Sequence, residues 1–222
     1  MEYVIVHQSA VPELQGKWNG PAWAGVAPLT VGNFSPRSSS HHPRVQAKLL
    51  HDDATVYVIF RVEDRYVKSV HVNDQDPVCT DSCVEFFVEP RHGSGYFNFE
   101  VNAGGTFLLY YIQDHRQGPG GFAKSVPVSG DWLRQLRVYH SLPTVVDPEM
   151  PGPVEWFLEY AIPVALFEAY VGKLGKLSGQ VWRGNLYKCA DATSHPHWAS
   201  WAPIGEVLNF HQPEFFAPLR LG

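Results

Sequence analysis

Between Asp81 and Asn102 the chain reads DSCVEFFVEPRHGSGYFNFEVN, and this alternation constrains the fold more than any other stretch. Successive side chains of a strand point to opposite faces, so period-2 patterning marks a strand with two unlike sides. Val84, Phe86 and Val88 fall on one side, with Glu85, Phe87 and Glu89 on the other. After a Gly-rich turn, Phe97, Phe99 and Val101 fall on one side, and Tyr96, Asn98, Glu100 and Asn102 on the other. The pattern predicts a hairpin with one apolar face for a core and one polar face. That polar face suits either hydroxyl recognition or plain solvation.

The remaining patterning is also mostly strand-like. Arg44–Leu50 and Thr55–Glu63 form a second hairpin around His51-Asp52-Asp53-Ala54, with Val56, Val58, Phe60 and Val62 as an apolar stripe. Glu2–His7 reads as an edge strand. Thr106–Ile112, Leu136–His140, Val154–Ile162, Val181–Cys189, Trp198–Trp201 and Pro218–Leu221 read as further strands. Asp64–Val78, Gln113–Asp131 (with Gly118-Pro119-Gly120-Gly121) and Pro143–Pro153 read as loops. Pro163–Val171 is the best helix, opened by Pro163 and ended by Gly172. Seven Trp, 14% aromatics, 19 Gly and 18 Pro fit a sandwich better than a helical bundle. The expected fold is all-β, an antiparallel β-sandwich of two sheets with one short helix, forming a single domain over residues 1–222.

Charge narrows the function. The net charge is −5 and no Lys/Arg run can track phosphates, so nucleic acid is an unfavourable partner. No apolar run approaches the length of a membrane span. The N-terminus MEYVIVHQSAVPEL lacks signal-peptide character and three Cys is an odd count, so the chain as written reads as cytoplasmic. A removed leader would make it extracellular or periplasmic.

The order of these segments resembles the family 9 carbohydrate-binding modules and their DOMON-like relatives. RVQAKLLHDDATVYVIFRVED is similar to the family's opening hairpin, and DSCVEFFVEP with YFNFEVNAGG to its central pair. EWFLEYAIP resembles the late strand that runs into a Pro-initiated helix. VWRGNLYKCAD, HWASWAPI and NFHQPEFFAPLRL resemble its C-terminal third. The resemblance implies a sandwich that binds carbohydrate without cleaving it, and a glycoside hydrolase or another protein as a companion. It also implies two Trp rings clamping a sugar. This chain has Pro77-Val78-Cys79 at the first clamp position and Phe210 at the second. Where such modules carry a basic strand residue, Glu100 stands here, while Glu85 and Asn102 match.

The candidate carbohydrate-binding residues are therefore Glu85, Asn102 and Phe210, with Glu100, Asn185 and Lys188 as further polar partners. Trp198 and Trp201 are candidate platform rings, but their i, i+3 spacing puts them on opposite strand faces, so at least one belongs to the core. Cys79, Cys189, His195 and His197 are candidate metal ligands if CTDSC and CADATSHPH meet, whereas Cys83 reads as a small core residue. Calcium is implied only by the resemblance, with Asp52, Asp53 or Asp64 as donors. No other cofactor is expected. Two alternatives stay open. One is a module that has lost its sugar site and serves as an interaction or structural domain. The other is a small glycosidase using paired carboxylates such as Glu85 and Glu100.

Overall fold

The computed structural model describes residues 1–118 and 121–222. Two sheets face each other. The first runs, strand by strand, Gly121–Pro127, Tyr110–Gly118, Tyr96–Asn102, Cys83–Glu89, Val181–Cys189, Ala217–Leu221 and Tyr3–His7. The second continues from Tyr3–His7 through Arg44–His51, Thr55–Asp64 and Val154–Pro163 to Arg137–His140. The N-terminal strand thus changes sheets along its length. Tyr3, Val4 and Ile5 pair with Leu219, Arg220 and Leu221, while Val6 and His7 pair with Leu50 and His51.

Both pairings of that strand are parallel, so the sandwich is not purely antiparallel. The strand is also interior rather than the edge its weak alternation suggested. Two further expectations fail for a common reason. Gln113–Asp131 is not a loop: Tyr110–Gly118 and Gly121–Pro127 form an antiparallel hairpin, with Pro119 and Gly120 outside the described residues. Its outer half is exposed, so no apolar alternation marks it. Within Pro143–Pro153, Val146–Met150 pairs with Val67–Ser69 in a small separate sheet, again with little apolar signal. The apolar run Thr106–Ile112 is split into Phe107–Leu108 and the strand starting at Tyr110.

The predicted stripes build the core. Val84, Phe86, Val88, Phe97, Phe99 and Val101 pack across the sandwich with Val56, Val58, Phe60, Val62, Trp156 and Tyr160. Phe99 lies nearly parallel to Tyr160 at 6.4 Å, and Phe167 of the helix meets Phe97 edge-on at 5.2 Å. That helix runs Val164–Val171 between Pro163 and Gly172, whose φ of 76° stops it. Asp52 closes the 44–64 hairpin by accepting the Ala54 and Thr55 N–H groups. In the other hairpin Gly95 is required twice over: its φ is 98°, and a Cβ there would lie 2.5 Å from the Ile112 carbonyl.

Both outer sheet faces are covered as well. On the second sheet, Tyr57 and Ile59 are buried under Trp23, Ala22 and Val26. Trp23 donates its indole N–H to the buried Glu159 carboxylate at 2.8 Å. On the first, the polar residues are covered by the segment between Ala202 and Phe216. That cover creates the site. No helix among the described residues is long and apolar enough to cross a membrane.

Candidate functional site

Strand register decides which side chains meet. Glu85 lies opposite Glu100 on one side and Tyr187 on the other. Cys83 lies opposite Asn102 and Cys189. Cross-strand partners share a face, so Glu85, Glu100, Asn98, Tyr187, Cys83 and Cys189 all look outward. The predicted polar face is real, but it is not solvated: Glu85 is 2% exposed and Glu100 5%.

The 202–216 segment is fastened over this face. Asn185 donates to the Ala202 carbonyl and accepts the Ala202 N–H, each at 2.9 Å. Tyr187 donates its hydroxyl to the Phe210 carbonyl at 3.0 Å, and the two rings stack at 4.1 Å, 12° from parallel. The Tyr96 hydroxyl and His211 Nδ1 are 2.9 Å apart, and Phe216 closes on Phe87 and Tyr96. Burial holds the His211 imidazole down at about 4, so it is neutral near pH 7.

A cleft of about 340 Å³ remains between this cover and the sheet. Its floor includes Glu85, Glu100 and Cys189, and its walls include Trp198, Phe210 and Asp191. Trp198 is fixed by donating its indole N–H to Asp191 at 2.6 Å. Glu85 accepts the Cys189 thiol on Oε1 at 3.0 Å, while its buried Oε2 has no partner. Burial and the neighbouring Glu100 push the Glu85 carboxyl well above the usual range. Burial lifts Glu100 to about 7, although the Asn98 amide donated at 2.8 Å opposes this. Glu85 therefore carries a buried hydrogen-bonding oxygen with no protein partner. No Lys or Arg lines the cleft among the described residues.

Of the six predicted sugar-binding residues, the structure brings Glu85, Glu100 and Phe210 together in the cleft. Asn102 is committed elsewhere: its amide donates to the His71 carbonyl and to Asp81, both at 2.9 Å, and it accepts the Thr106 N–H. Asn185 anchors the cover, as described. Lys188 lies on the opposite, inward face, opposite Val84, and cannot reach the cleft. There it is fully buried, with Nζ 3.8 Å from Asp64 Oδ2 and donating to the Cys189 carbonyl at 2.9 Å. Burial alone would raise Asp64, but Lys188, His41 and the Arg65 N–H outweigh it and hold the carboxyl at about 2. Trp201 is core, edge-on to Tyr3, whereas Trp198 reaches the cleft.

The expected Cys/His metal set does not assemble. Cys79 and Cys189 border the cleft, but His195 stacks on Tyr66 at 3.6 Å. His197 sits beside His41, its Nδ1–H donating to the His195 carbonyl, and burial with the Lys188 charge holds it at about 3. The calcium donors do not fit either. Both Asp52 oxygens serve the turn and the Tyr57 hydroxyl, Asp53 pairs with His7, and Asp64 is bound by His41, Trp156 and Arg65. Asp191 was not among the predicted residues, whereas Trp198 was one of the two candidate platform rings. The opposite facing of Trp198 and Trp201 was readable, but nothing in the sequence said which of them faced out.

The model of carbohydrate-binding family 9 matches residues 23–221. The chain belongs to carbohydrate-binding family 9. A Bacteroides uniformis protein, provisionally described as carbohydrate-binding, is 28% identical with a TM-score of 0.85, over 100% of this chain and 99% of that one. Two family 9 structures from Caldicellulosiruptor kristjanssonii share the fold. One, in complex with glucose, has 14% identity and a TM-score of 0.65, covering 100% of this chain and 96% of the other. The other, in complex with cellotriose, has 16% identity and a TM-score of 0.64, covering 100% and 93%. A search of curated proteins gives no match. Relative to the family 9 pattern, Cys79 brings a thiol, not a ring, to the cleft at the expected first clamp position.

Proposed function

We propose that the chain binds a neutral sugar ring or chain end, noncovalently and without cleaving it, in the cleft between Phe210, Trp198, Glu85 and Glu100. The observation that carries this reading is the unpartnered, buried Glu85 Oε2 on the floor of a cleft walled by two aromatic rings. A pyranose offers hydroxyls for the first and an apolar C–H face for the second. The volume, about 340 Å³, sits at the low end of ligand pockets. Family membership and the glucose- and cellotriose-bound neighbours support a gluco-configured ligand. Three acids and no cation around the cleft disfavour uronic acids.

Glu85 and Glu100 stand side by side on adjacent strands, both at the floor. They do not flank a space where a glycosidic bond would lie, which favours binding over hydrolysis. The thiol at Cys79 favours the second reading, an interaction domain without sugar affinity. The open cleft above Glu85 weighs against it.

Isothermal titration with glucose, cellobiose, xylobiose, galactose and glucuronate tests the proposal. Saturable 1:1 binding of a neutral sugar, with glucuronate silent, is expected. Silence towards every sugar from protein with a native circular dichroism spectrum would overturn it.

A further inference from the structure

All three cysteines of the chain converge on one spot. Cys83 and Cys189 are cross-strand partners on the outward face, and Cys79 packs against them from the short turn Val78–Thr80. Glu85, two residues beyond Cys83 on the same face, joins them. The Sγ atoms of Cys83 and Cys189 and a Glu85 carboxylate oxygen lie within 4.8 Å of one another. No other group of three His, Cys, Asp or Glu ligand atoms comes this close among the described residues.

From this geometry we propose that Cys83, Cys189 and Glu85 form a binding site for a thiophilic divalent cation of the zinc class, with its fourth position facing the cleft. Tetrahedral zinc holds sulfur at about 2.3 Å and oxygen at about 2.0–2.2 Å. Ligand atoms around such an ion are therefore a little under 4 Å apart, and small side-chain rotations bring this group to that spacing. Zinc suits two thiols and one carboxyl; calcium and magnesium would need a set of oxygens. Thiols bind a metal ion as thiolates, so the two cysteines must give up their protons on binding it. A dication entering the site expels these protons, so binding tightens as pH rises. Entry is from the cleft, which Cys189 and Glu85 both line. Glu85 Oε1 already lies 3.0 Å from the Cys189 thiol, and the Oε2 of the same buried carboxyl has no partner. The site shares Glu85 with the proposed sugar cleft, and its test contains no sugar, so the two readings can fail separately.

The test is titration of the full, reduced chain with Co²⁺ as a spectroscopic probe, followed by displacement with Zn²⁺. One Co²⁺ per chain with a thiolate-to-cobalt charge-transfer band, bleached by Zn²⁺, is expected. The band should vanish in C83A and C189A, persist in H195A, and persist in E85Q with affinity at least about tenfold weaker. Calorimetry of Zn²⁺ binding in buffers of different ionisation enthalpy should show net proton release. If the alanine variants fail to fold, E85Q and the proton count on the unaltered chain decide. The proposal is overturned by absence of the band in folded, reduced protein, by a band unchanged in C83A and C189A, or by zinc binding without proton release and indifferent to E85Q.

Discussion

Glu100 offers the sharpest test of the buried polar floor. Burial raises its carboxyl from an ordinary 4.5 to about 7. A carboxyl raised in the folded state holds its proton more tightly there than in the unfolded chain. Its contribution is therefore full below pH 4.5, fades as pH climbs through about 7, and is gone above that. At about 1.4 kcal/mol per pH unit, the span is worth about 3 kcal/mol. Glu100→Gln preserves the shape and an oxygen for the Asn98 amide but cannot ionise. The variant should match the parent near pH 4.5 and exceed it by about 3 kcal/mol at pH 8. It also removes the charge that penalises ionisation of Glu85. Urea unfolding at intervals from pH 4 to 9 measures this. The readout is the difference between the two proteins, because the depressed His197 and His211 give the parent an opposing slope below pH 6.5. A difference constant within about 0.5 kcal/mol across that range would refute the argument. Sugar affinity of the variant should fall, since stability gained at a ligand site is commonly set against function.

Other perturbations separate the cleft from the core. Phe210→Ala removes a half-buried ring stacked on Tyr187 and should weaken sugar binding about threefold to tenfold, from a stacking term of about 0.5–1.5 kcal/mol, with little change in urea midpoint. Trp198→Ala should weaken binding similarly in calorimetry and free Asp191 from its indole donor. Asp64→Asn leaves Lys188 buried without its counter-charge and should cost about 3–5 kcal/mol in urea unfolding, part of which Lys188→Met in the same chain restores. Affinity for sugar should be unaffected by that pair, which lies on the inward face.

Much of the architecture was legible because alternation is direct evidence of a two-faced strand. Val84–Val88 and Phe97–Val101 took the faces their spacing dictated. The exposed outer part of the hairpin, residues 113–118 and 121–127, escaped because a strand with neither face buried has no pattern to show. The reading of Lys188 was an error that alternation itself corrects: it is three residues from Asn185, so the two cannot share a face. Burial of Glu85 and Glu100 was hidden for another reason. The cover that excludes water from them is the irregular segment around Phe210, whose position depends on contacts with Tyr187, Tyr96 and Asn185 far away in sequence.

The most direct measurement is a nitrogen–proton correlation spectrum of the tryptophan indoles during titration with cellobiose. Of the seven tryptophans, Trp198 borders the proposed cleft, whereas Trp23 borders the separate hollow on the outer face of the second sheet. With the Trp198 signal assigned through Trp198→Phe, it should shift saturably while those of Trp23 and Trp156 stay fixed. A saturable shift at Trp23 with Trp198 unmoved, or no shift at any indole, would contradict it.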